Sequence, residues 1–65
     1  MIPPIHRQQF MLAITAWARW CLQQRLPYRH PYVERSTLGR KYLHLRDGMG
    51  TLLARYELYT GRIAR

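Results

Sequence analysis

LGRKYLHLRDGMGTLLARYELYTGRI, the stretch from Leu38 to Ile63, decides how this chain is read. Within it Leu38, Tyr42, Leu45, Met49, Leu52, Tyr56, Tyr59 and Ile63 follow one another at alternating steps of four and three. On a helix such a heptad seam forms one apolar stripe that needs a partner, because about 3.5 residues is close to one helical turn. Gly48 and Gly50 interrupt the stripe, and each glycine inside a helix costs about 1 kcal/mol relative to Ala. The seam keeps its register across both glycines, which a turn has no reason to preserve. The spacing therefore predicts one long helix over about 37–64, with Ser36 as N-cap and any kink at about 47–50.

Two other readings compete. If the glycines end the helix, about 37–46 and about 51–60 become two short helices around a tight turn, the spacing of a helix-turn-helix. A β-hairpin comes third, since Tyr42-Leu43-His44-Leu45-Arg46 alternates and Asp47-Gly48 is a turn dipeptide. It ranks last because Leu52-Leu53-Ala54 does not alternate and the Leu, Ala, Arg and Glu around it favour helix.

Towards the N-terminus, LPYRHPYVER (Leu26 to Arg35) reads as a stiff linker, with Pro27 and Pro31 breaking helix and Tyr28 and Tyr32 each following a proline. Before it a helix is expected over about 5–25, with Pro3 and Pro4 suited to its start. Its seam is His6, Phe10, Ala13, Trp17, Trp20 and Gln24, thickened by Ile14 and Cys21. Met11, Ala18 and Leu22 widen the apolar arc, so two neighbours are expected for this helix. The expected fold is all-α, a single small domain formed by a helical hairpin that dimerises into a four-helix bundle. The alternative is a three-helix domain with a helix-turn-helix at about 37–60.

Sixty-five residues support one small core of marginal stability, which makes a homodimer the expected staple. The one cysteine, Cys21, excludes an internal disulfide and reads as a small buried hydrophobe. His6, His30 and His44 do not combine with it at metal-ligand spacing, so no metal or cofactor is expected. The longest run without charge, Gln8 to Ala18, falls far short of the roughly 20 residues that span a bilayer. Ala16-Trp17-Ala18 has the form of a signal-cleavage site, but the apolar pattern continues through Trp20, Cys21 and Leu22. A reduced, cytoplasmic protein is expected.

Eleven basic residues stand against Glu34, Asp47 and Glu57, a formal charge of +8 that attracts polyanions. All but Lys41 of the Lys and Arg residues are Arg, which suits bidentate phosphate contact. Catalysis has little to work with: the acids lie far apart, and Gly48-Met49-Gly50 is only a fragment of a phosphate loop. Neither an enzyme nor a small-molecule substrate is expected. The heptad frame puts Lys41, Arg55 and Arg62 at one flanking position, and these join Arg40, Arg65, Arg19 and Arg25 as expected contacts. Trp20, at the edge of the first stripe, and Tyr28 and Tyr32 beside Arg29 are the expected aromatic contacts.

In size and heptad pattern this plan resembles the small four-helix-bundle dimers that bind RNA hairpins and regulate plasmid copy number. Locally, Ala16-Trp17-Ala18-Arg19-Trp20 resembles the tryptophan-rich N-terminal helix of phage antitermination proteins of the Q type. Both resemblances imply a small regulator of phage or plasmid type. The expected function is non-catalytic binding of DNA or RNA through an Arg-rich helical face, controlling transcription or RNA pairing. The alternative is a phage-type inhibitor or adaptor on a host protein such as RNA polymerase, a nuclease or a defence complex, for which the Trp, Tyr and Arg content suits an interface.

Overall fold

Alternation, not the heptad spacing, governs the second half of the chain. In the computed structural model, which describes residues 2–65, Tyr42–Arg46 is a strand with Leu43 and Leu45 fully buried and Tyr42, His44 and Arg46 half-buried on the other face. A 3-10 turn at Pro4–His6 leads into helix α1, Arg7–Gln24, and four strands follow: β1 (Thr37–Leu38), β2 (Tyr42–Arg46), β3 (Leu52–Glu57) and β4 (Ile63–Ala64). They form one antiparallel sheet in the order β1-β2-β3-β4, with α1 packed on one side.

The fold is therefore α+β. This corrects the all-α expectation: among the described residues there is no helical hairpin, no coiled-coil seam and no helix-turn-helix at 37–60, and the second helix needed for a four-helix-bundle dimer is a sheet. The seam scatters because a step of four preserves the face of a strand and a step of three reverses it. Leu45 and Tyr56 point into the core, whereas Met49 sits in a turn and Tyr59 is 99% exposed in another. The run Leu52-Leu53-Ala54, which argued against a strand, is a β-bulge. Leu45 pairs with Ala54 and Arg46 with Leu52, so Leu53 is the extra residue and is buried beside Ala54.

Asp47-Gly48-Met49-Gly50 closes the β2–β3 hairpin. The Gly50 N–H donates to the Asp47 carbonyl at 2.9 Å, and Asp47 Oδ1 accepts the N–H groups of Met49 at 2.9 Å and Thr51 at 3.0 Å. Gly50 has φ +83°, a conformation that L side chains rarely adopt. Burial of Asp47 raises its pKa, but these two N–H donors and the Arg29 guanidinium paired with Oδ2 outweigh burial and hold the carboxyl below its ordinary value.

The core joins Phe10, Ala13, Trp17 and Cys21 of α1 to Leu43, Leu45, Ala54 and Tyr56 of the sheet, with Ile2 beneath. Trp17 is the centre of this stripe, and its indole Nε1 donates to the Arg29 carbonyl at 2.9 Å. The linker therefore returns along the helix, and the Tyr32 N–H donates to the Arg46 carbonyl at 2.8 Å. Ser36 caps no helix. It is fully buried, and its Oγ accepts the Arg46 N–H at 3.0 Å, latching the linker to the end of β2. On the second flank of α1, Met11 and Leu22 remain exposed.

Candidate nucleic-acid interface

With α1 on one side, the sheet's other side is left uncovered, and strand alternation decides what it carries. Register pairs Thr37 with His44, His44 with Arg55, Arg55 with Ala64, and Tyr42 with Glu57, all pointing away from the helix. The Glu57 N–H donates to the Arg62 carbonyl at 2.8 Å, which sets Arg62 beside this face. The Arg55 guanidinium lies 5.4 Å from the centre of the Tyr42 ring, a cation–π contact that orients both groups. Arg46 completes the face and ties one guanidinium nitrogen, Nη1, to the Gly50 carbonyl at 3.1 Å.

At one end of the sheet the β1–β2 and β3–β4 turns meet. The Leu58 N–H donates to the Lys41 carbonyl at 2.9 Å, and Arg40, Lys41, Tyr42, Glu57, Leu58 and Tyr59 line a groove of about 440 Å³. Five cations, Arg40, Lys41, Arg46, Arg55 and Arg62, thus share one face and its end with one carboxylate, Glu57. Among the described residues Glu57 makes no salt bridge and no side-chain hydrogen bond.

Of the contacts expected from sequence, Arg40, Lys41, Arg55 and Arg62 come together here, on a sheet rather than a helix. The others lie elsewhere. Arg19 and Arg25 are exposed on or just after α1. Arg29 is committed to Asp47. Trp20 stacks on Trp17 with ring centres 5.7 Å apart, and the Arg65 guanidinium lies 5.7 Å from Trp20 and 5.8 Å from Trp17. The Tyr28 hydroxyl bonds His30 Nδ1 at 3.0 Å, and the Tyr32 ring rests against Gly48. Tyr42, His44, Arg46, Glu57 and Tyr59 were not among the contacts expected from sequence. The alternation of Tyr42–Arg46 was the signal for the first three.

A larger groove, about 640 Å³, lies between α1 and the linker. Phe10, Met11, Ile14, Pro31 and Val33 make its walls apolar, and Arg7 and Glu34, of opposite charge, also line it. It suits a hydrophobic partner better than a phosphate. Cys21 is buried, and burial pushes its thiol up, against the opposing effect of Arg65. Among the described residues no three His, Cys, Asp or Glu side chains gather to hold a metal ion, and no helix is long and apolar enough to cross a membrane. No protein-family model, no curated protein and no solved structure matches this chain.

Proposed function

We propose that this chain is a non-catalytic nucleic-acid-binding protein of the cytoplasm that holds its ligand on the open face of the sheet. The observation that carries this reading is the gathering of Arg40, Lys41, Arg55 and Arg62 with Tyr42 on one side of the sheet. Phosphates neutralise such guanidinium and ammonium groups, and sheet-borne aromatics beside them offer surfaces to bases. The chain's remaining acids do not compete, since Asp47 is already paired and Glu34 lies on the linker. A single, buried thiol fits a reducing compartment.

Fluorescence anisotropy with labelled RNA and DNA at low salt tests the reading. Binding should occur near 50 mM salt and weaken by orders of magnitude towards about 200 mM. Replacing Arg40, Arg55 and Arg62 with Gln should abolish it, whereas Arg19→Gln with Arg25→Gln should not. Absence of binding at low salt, or equal losses from the two sets, would overturn it. The apolar groove beside Met11 favours a second reading, an inhibitor or adaptor on a host protein. A stoichiometric protein partner captured from nuclease-treated lysate, and lost on Met11→Glu, would support that one instead.

A further inference from the structure

The placement of Glu57 points to a more specific ligand, and this step rests on the nucleic-acid reading. We infer that the groove at the end of the sheet takes an unpaired guanine base from a single strand, read by the Glu57 carboxylate.

A carboxylate among cations that bind phosphates is a cost, because it repels the backbone that its neighbours attract. Glu57 stands opposite Tyr42 in the sheet and lines the groove with Arg40, Lys41 and Tyr59, yet among the described residues no cation pairs with it. An ionised carboxylate only accepts hydrogen bonds, through two oxygens side by side. Among the groups a nucleic acid offers, the one that engages both oxygens at once presents two adjacent N–H donors. On the Watson–Crick edges of the bases only guanine does so, with N1–H and the N2 amino group. Cytosine and adenine set an acceptor next to their amino group, and uracil and thymine flank one N–H with carbonyls. Guanine engaged in a duplex has this edge occupied, so the base must be unpaired.

The rest of the groove fits that ligand. Tyr59 is fully exposed and Tyr42 half-buried at its walls, giving aromatic surface for a base. Arg40 and Lys41 at the same end are placed for the phosphates on either side of it. At about 440 Å³ the groove falls within the range of small-ligand sites, roughly 300–1,000 Å³. Duplex DNA is a poorer match, since its major groove admits a helix or a two-stranded ribbon rather than one face of a four-stranded sheet.

The test measures affinity for short single-stranded RNAs that differ at one central base, and for the matching duplex, with wild type and Glu57→Gln. Guanine should bind about tenfold tighter than the other bases or the duplex. Glu57→Gln should erase that preference while leaving binding to the other bases equal or tighter, because a negative charge has gone. A purely structural role for Glu57 would instead weaken every ligand alike, which circular dichroism would report as lost structure. Equal affinity for all bases, preference for duplex, or a guanine preference that survives Glu57→Gln would overturn the inference and leave the nucleic-acid reading standing. Failure of every oligonucleotide to bind would remove both.

Discussion

Asp47 is the residue on which the local geometry of the hairpin turns. Its carboxylate holds two backbone N–H groups of the β2–β3 turn and the Arg29 guanidinium, so turn, linker and sheet meet at one side chain. Its folded-state pKa lies below its unfolded value, so it contributes stability that is complete above about pH 3.9 and lost as pH falls through the folded value. Thermal melting followed from about pH 6 to about pH 2 should therefore decline below about pH 4, and Asp47→Asn should flatten that decline. One and three residues on, Gly48 and Gly50 differ in what they tolerate. Gly50→Ala should cost about 1 kcal/mol in urea denaturation because of its positive φ. Gly48→Ala should be near neutral, since an added Cβ would first meet the Tyr32 ring at 3.4 Å, an ordinary van der Waals contact.

At the level of elements, the sheet and the helix it displaced make opposite demands on the same residues. Leu43→Ala and Leu45→Ala should each cost about 2–5 kcal/mol, because both are fully buried, whereas Met49→Ala and Tyr59→Ala should stay within about 0.5 kcal/mol. On a helix, Leu45, Met49 and Tyr59 would have been equivalent, so chemical denaturation of the four variants separates the architectures. Half of the fold was legible. Pro4 and the Phe10, Ala13, Trp17, Cys21 stripe carry the start and the buried face of α1. The sheet was hidden by a coincidence and a bulge: the aromatic and aliphatic residues of its strands and turns happen to fall at heptad spacing, and Leu53 breaks the alternation of β3. Ser36 misled for a simpler reason, since a serine ahead of an apolar run has the same appearance whether it caps a helix or latches a strand. The cations of the interface were legible as residue types, but the strand pairing that brings Arg55 across from His44 and Arg62 across from Glu57 was not.

Over the whole molecule, five of the eleven Lys and Arg residues gather on one side of the sheet and its end. The chain folds into a slab of about 31 × 27 × 16 Å, with the helix on one side and the cationic sheet face on the other. On the proposed nucleic-acid reading, counterion release ties each phosphate contact to the salt dependence of binding, so Arg62→Gln should reduce the slope of log affinity against log salt by about 1. Arg19→Gln, on the helix side, should leave that slope unchanged, and anisotropy titrations at several ionic strengths would read both.

The strand order also bears on how the chain finds its fold. Each strand pairs with its immediate successor, across turns of only a few residues, so little loop-closure entropy is spent in assembling the sheet. The helix comes first along the chain but has nothing to bury its stripe against until the β2–β3 hairpin has closed and aligned Leu43, Leu45 and Tyr56. Assembly is therefore expected to run backwards along the sequence, the C-terminal meander before the N-terminal helix, with high φ-values in β2 and β3 and low ones in α1 as the check.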